Sequence, residues 1–236
     1  LVVAGGLSVA STTRLPVTVV TGFLGAGKTT VLRELLRQSQ QRLAVLVNEF
    51  GEVGIDGQLL KSCQVCDEDE SVSAPTIVEL ANGCLCCTVQ DDFLPTMEAV
   101  LEQADQLDGI VIETSGLALP EPLLQAFQWP EIRHRTRVSG VVTVVDGEAL
   151  ARGEVVADVN LLEQQRADDP SLDHDDSIDE LFDEQLEQAD LVLISRADRL
   201  SDEQQRAVIE HQLGDNAHFD NLMKFSKIRQ KHDTIY

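Results

Sequence analysis

The stretch G-F-L-G-A-G-K-T-T, residues 22–30, carries the residue types and spacing that grip a phosphate chain. Gly22, Gly27, Lys28 and Thr29 satisfy G-x-x-x-x-G-K-[ST], the phosphate-loop or P-loop pattern. Gly22, Gly25 and Gly27 allow a tight turn whose backbone N–H groups point inward at phosphate oxygens. Lys28 can reach the β- and γ-phosphates of a nucleoside triphosphate, and the Thr29 hydroxyl can bind Mg²⁺. A helix starting here adds the partial positive charge of its N-terminus. Further along, Glu113 in E-T-S-G is a second candidate to hold Mg²⁺, directly or through water, and Gly116 lets the backbone approach a γ-phosphate.

A different chemistry lies in Cys84, Cys86 and Cys87, a C-x-C-C cluster. Thiolates at this density suit soft or borderline ions such as Zn²⁺, Cu(I) or Co²⁺. Adjacent residues cannot all face one centre without strain, so a tetrahedral site needs a further ligand, with Glu49 and Glu52 as candidates. Cys63 and Cys66 add a C-x2-C whose distance from Cys84 comes close to zinc-ribbon spacing. A structural zinc knuckle and free thiols are the competing readings. Five clustered cysteines, an odd number, argue for metal or redox work in a reducing compartment over a disulfide framework. S-R-A-D at 195–198 resembles the guanine-reading N-K-x-D element of GTPases. Asp198 keeps the carboxylate that accepts from the guanine N1–H and exocyclic amine, while Ser195 and Arg196 stand for Asn and Lys. Arg196 can lay its stem and guanidinium over the base. His174, among carboxylates, and His134, in a small basic patch, read as surface residues.

These groups need strands and helices in alternation to hold them. Short apolar runs rich in β-branched residues, at 17–20, 43–47, 76–80, 109–113, 138–146 and 191–195, read as strands of a parallel sheet. Helical patterns follow the P-loop and recur at 91–107, near 119–128, at 176–188 and at 202–213. In the helix at 176–188, Ile178, Leu181, Phe182 and Leu186 share one face. The alternation predicts an α/β domain with a mostly parallel sheet and helices on both faces. Ligands then bind at the C-terminal ends of the strands, where N-E-F-G-E (48–52) and E-T-S-G also fall. Residues 1–14 read as a loose tail and 15–214 as the nucleotide-binding domain, with a cysteine-bearing insert at 61–90 and an acidic loop at 154–177. Beyond Gly214 no clean strand is legible, and 215–236 reads as an atypical tail. A net charge of -23 argues against nucleic acid or an anionic membrane as partner, and no apolar run is long enough to span a bilayer.

T-G-F-L-G-A-G-K-T-T, N-E-F-G-E, E-L-A-N-G-C-L-C-C-T-V and E-T-S-G occur in one order, and together they resemble the CobW family of metal-handling P-loop GTPases. The likeness covers roughly residues 15–213, and G-I-D-G-Q-L-L-K-S-C and D-D-F-L-P-T-M look like its cobalamin-biosynthesis branch. The resemblance implies a P-loop NTPase fold of the SIMIBI type, GTP hydrolysis, and a metallochaperone that loads and delivers an ion. Co²⁺ for corrin-ring insertion is its sharpest form, and Zn²⁺ is the alternative. Carried over, Gly22, Gly25, Ala26, Gly27, Lys28, Thr29, Thr30 and Gly116 bind phosphates, Thr29 and Glu113 attend Mg²⁺, and Asp198 reads guanine. Lys28 and Glu113 are the implied catalytic residues, and Cys84, Cys86, Cys87 and Glu52 the implied ligands of the transported metal. Implied partners are GTP, GDP and a metal-receiving enzyme such as a cobaltochelatase, in the cytoplasm. The family's C-terminal ferredoxin-like domain is expected to be absent from this stretch. Two rival readings are an ATP-using P-loop kinase with a structural zinc, and a nucleotide-gated interaction module. No arginine-rich lid is legible between 115 and 190, a region that is acidic instead, and this speaks against a kinase.

Overall fold

The computed structural model describes residues 14–47, 76–79, 93–160, 162, 177–212 and 222–224. Cys63, Cys66, Cys84, Cys86, Cys87, Glu49, Glu52 and His174 lie outside the described residues.

The strands are β1 (Leu15–Thr21), β2 (Leu43–Val47), β3 (Thr76–Glu79), β4 (Gly109–Glu113), β5 (Thr136–Asp146), β6 (Leu191–Ser195) and β7 (Leu222–Lys224). They form one sheet in the order β3-β2-β4-β1-β5-β6-β7. Every pairing in it is parallel. Successive side chains point to opposite faces, and both faces are apolar. Val17, Val19, Ala44, Leu46, Ile110 and Ile112 lie in one cluster with Phe93 and with Met97 and Leu101 of α2 (Leu94–Glu102). That cluster also takes Leu123 of α3 (Glu121–Ala126) and Ile132 of α4 (Pro130–Arg133). The alternate residues Val20, Val45, Val47 and Val144 pack with Val31 and Leu32 of α1 (Lys28–Gln38). Helices therefore cover both faces, as the alternating pattern predicts.

Residues 146–150 turn from β5 into the single-turn helix α5 (Gly147–Leu150). The amphipathic stretch forms α6 (Ile178–Glu187), started by a reciprocal capping box between Ser177 and Glu180. Leu181, Phe182 and Leu186 are buried with Val145, Val192 and Ile194, while Asp179 and Glu180 of its first turn face solvent. A second capping box, Ser201 with Gln204, starts α7 (Asp202–Ala207). α7 is shorter than the pattern at 202–213 predicts, because the chain loosens into a π-helical turn at Val208–Gln212.

One expectation is overturned. β7 lies beyond Gly214, where no strand was legible, and pairs with β6 in the register Val192↔Leu222, Leu193↔Met223, Ile194↔Lys224. Three residues reading L-M-K are too few to display a period of two. The open edge of β6 supplies the hydrogen bonds that make them a strand. Among the described residues no helix is long and apolar enough to cross a membrane.

Candidate functional site

The chemistry-bearing residues gather at the C-terminal ends of β1, β4, β5 and β6. β1 lies between β4 and β5, and strand register places Glu113 beside Val20 and Asp146 beside Ser195. Connections leave this edge in both directions from β1, the arrangement that opens a crevice in a parallel sheet.

The P-loop turns as its glycines require, with Gly22, Gly25 and Gly27 all at positive φ. Ala26 N donates to Phe23 O at 3.1 Å, and Val31 N to Gly27 O at 2.9 Å as α1 begins. Lys28 is buried and crosses its own loop, its Nζ donating to Gly22 O at 2.7 Å and Phe23 O at 3.1 Å. Thr30 is exposed on the first turn of α1, and that turn holds no acidic residue to oppose an anion.

Across the crevice Thr29 Oγ1 donates to Glu113 Oε1 at 2.8 Å, joining residues 84 positions apart. Glu113 is 5% exposed. A hydroxyl and a carboxylate held together at a phosphate loop are hard oxygen donors, the set that suits Mg²⁺. The segment after Glu113 is tied to β1 by Thr114 N to Val20 O and by Thr114 Oγ1 to Thr21 Oγ1. Close packing also requires a glycine at position 116. A Cβ there would stand 2.6 Å from Leu24 N, so its bare backbone packs directly on the P-loop.

The S-R-A-D loop is arranged differently from its expectation. Asp198 is exposed, in the short 3₁₀ turn Ala197–Arg199. Arg196 adopts φ 54, the single non-glycine residue at positive φ among those described. Its guanidinium is an ion-pair partner of Asp146 and donates from Nη2 to Gly25 O at 2.9 Å. It also approaches Glu148 at 3.7 Å. Arg196 thus clasps the S-R-A-D loop to the P-loop, with its hydrogen bonds directed at these acceptors instead of lying free over a base. Ser195 is buried beside Gly27, where an added Cβ would meet Ser195 Cβ at 3.6 Å, and its Oγ has no hydrogen-bond partner among the described residues.

The structure therefore brings together Gly22, Gly25, Ala26, Gly27, Lys28, Thr29, Glu113 and Gly116, with Asp198 on an adjoining loop. Cys84, Cys86, Cys87 and Glu52 lie outside the described residues. Asp146 is a site-bordering residue that motif reading missed. Its Oδ1 accepts from Glu148 N at 3.0 Å and Ala149 N at 3.3 Å, capping α5, while Oδ2 takes Arg196. A signal was present, since Asp146 closes a buried strand just as Glu113 does.

The sequence matches the family described as CobW/HypB/UreG, nucleotide-binding domain, over residues 16–221. A protein of Pseudomonas aeruginosa named zinc chaperone CobW is 54% identical over 200 residues, covering 84% of this chain and 53% of that protein. A protein of the same name from a Sinorhizobium species is 50% identical over 188 residues, 78% of this chain and 51% of that protein. This chain spans about half the length of these curated relatives. Among solved structures, the Zn(II)-bound YjiA GTPase from E. coli matches with a TM-score of 0.54 at 24% identity, over 94% of this chain and 60% of that one. At that identity the likeness establishes a shared fold.

Proposed function

Because the chain belongs to the CobW/HypB/UreG family of nucleotide-binding domains, we propose that it binds and hydrolyses GTP and couples that cycle to loading and delivering a transition metal. The observation that carries the nucleotide half is the 2.8 Å bond between Thr29 and Glu113, which assembles an oxygen-donor pair beside the phosphate loop. Thr29 and Glu113 would hold Mg²⁺, which neutralises charge developing on the β- and γ-phosphates when bound. Lys28 is already ordered by the carbonyls of Gly22 and Phe23, so less side-chain entropy is lost when it meets phosphate. The loop N–H groups and the start of α1 supply the remaining positive potential. Asp198 reads guanine, and Arg196 keeps its loop against the P-loop.

The transported metal is the substrate of the second half, with Cys84, Cys86, Cys87 and Glu52 as its ligands. Zinc as cargo is supported by the two relatives, each named a zinc chaperone. Cobalt for cobalamin, with a cobaltochelatase as receiver, rests on the motif resemblance. Thiolate ligands need a reducing compartment such as the cytoplasm. If nucleotide and metal are coupled, each changes the other's affinity by the same factor, typically about 5- to 150-fold.

Titrating Zn²⁺ and Co²⁺ into the full chain with a non-hydrolysable GTP analogue, then with GDP, tests the coupling. Tighter metal binding in the triphosphate state is expected, and equal affinities would refute it. Thiolate-bound Co²⁺ reports by visible absorption, where d¹⁰ Zn²⁺ is silent. Competition between GTP and ATP for one fluorescent guanine nucleotide tests base reading. ATP preference would move the assignment to the kinase.

A further inference from the structure

One buried amide interrupts the apolar interior beneath α6. Gln185 is 0% exposed, on a helix whose other buried residues include Phe182 and Leu186. Burying an amide is unfavourable unless its hydrogen bonds are met. Here only half are. Gln185 Oε1 has no hydrogen-bond partner among the described residues. Its Nε2 donates to Gly116 O at 3.4 Å and Ala118 O at 3.3 Å, both in the loop that follows Glu113. An aliphatic side chain would pack there without that cost, so the position calls for a reason beyond packing.

The neighbouring contacts supply one. Gly116 presses on the P-loop, where an added Cβ would lie 2.6 Å from Leu24 N. One turn before Gln185 on the same helix, the Phe182 ring stacks on Phe23 of the P-loop, with centroids 5.9 Å apart and planes 21° apart. P-loop, post-β4 loop and α6 therefore form a closed ring of contacts, and Gln185 is its hydrogen-bonded link. Both of its bonds are longer than the usual range, so the amide is shared between two carbonyls and has room to shorten onto either as the loop shifts.

We propose that Gln185 is a positioning residue for hydrolysis, fixing the loop after Glu113 against the P-loop so that γ-phosphate contact and the placement of α6 depend on each other. It touches no nucleotide. The proposal rests on the hydrolytic reading of the site given above.

Three measurements on the full chain test it. Gln185→Met keeps volume and removes the donor. It should cleave saturating Mg·GTP about tenfold more slowly, the scale of one hydrogen bond, with GDP affinity held within about twofold. An unchanged rate, or GDP affinity falling in step with the rate, overturns the proposal. Thr143→Val removes another bond to the same helix, Thr143 Oγ1 to Gln185 O at 3.1 Å, without touching the loop. It should hydrolyse at the wild-type rate, and equal slowing would reduce Gln185 to general helix packing. Should Gln185→Met not fold, the wild type decides by amide exchange over residues 181–188. More protection with a non-hydrolysable GTP analogue than with GDP is expected, and equal protection overturns the proposal. A wild type that binds Mg·GTP without cleaving it refutes the hydrolytic reading itself. A wild type that cleaves it, beside a variant of equal rate, refutes only the role of Gln185.

Discussion

Gly22 and Gly25 both sit at positive φ, yet they are glycines for different reasons. At Gly22, φ +130, an added Cβ would stand 2.1 Å from Val144 O, inside the contact between β1 and β5. At Gly25, φ +73, a Cβ would meet nothing within 4 Å. Gly25→Ala should therefore cost only left-handed backbone strain, about 1–2 kcal/mol. Gly22→Ala adds overlap with a main-chain oxygen that no rotamer relieves, for a total above about 3 kcal/mol. Thermal unfolding of the two variants checks this. Losses of a few degrees for Gly25→Ala and roughly 10 °C for Gly22→Ala are expected for a domain of this size, and equal losses would refute the packing distinction. Arg196 holds the same region of φ with a side chain present, and its strain is offset by the bonds to Asp146 and Gly25 O that this conformation permits.

Strands are held at their far ends too. Arg42 enters β2 and Asp108 enters β4, where Leu43 and Gly109 are paired. Arg42 Nη2 meets Asp108 Oδ1 at 2.8 Å, and Arg42 Nε meets Oδ2 at 3.1 Å. Arg42 N donates to Oδ2 at 2.8 Å and Asp108 N returns a bond to Arg42 O at 2.8 Å. The Arg42 side chain, then its backbone N–H, hold the Asp108 carboxyl down at about 2 from an ordinary 3.8. A depressed carboxyl contributes stability that is fully present above the unfolded value and lost as pH falls through the folded one. The pair is exposed, so the effect is small. Arg42→Gln should be slightly less stable than wild type above about pH 4, with the gap closing as pH falls toward about 2. Urea unfolding at stepped pH measures it, and a gap that widens on acidification would refute the assignment. At the other end of the same elements, Glu113 needs β4 beside β1, and Arg196 needs β6 beside β5.

For the whole molecule, the crevice draws on four strand ends, so a nucleotide bound there stabilises the domain by mass action. At a hundred times its dissociation constant, Mg·GTP should add about 2.7 kcal/mol, raising Tm by roughly 5–10 °C. Removing the divalent ion with EDTA should shrink the shift if Thr29 and Glu113 hold Mg²⁺, and a shift indifferent to EDTA would sink that role. The P-loop, the strand runs and the apolar face of α6 were legible in the chain because glycine sterics and side-chain period act over a few residues. Folding alone decided the rest. The Thr29–Glu113 bond spans 84 positions and the Arg196–Gly25 bond 171, so only strand order could bring those partners together. The fold left no room for a Cβ at Gly116 beside Leu24, and the open edge of β6 made a strand of Leu222–Lys224. A local pattern names the groups able to do chemistry. Which acceptor captures a guanidinium or an amide first is a contest among neighbours, and those neighbours exist only once the sheet is assembled.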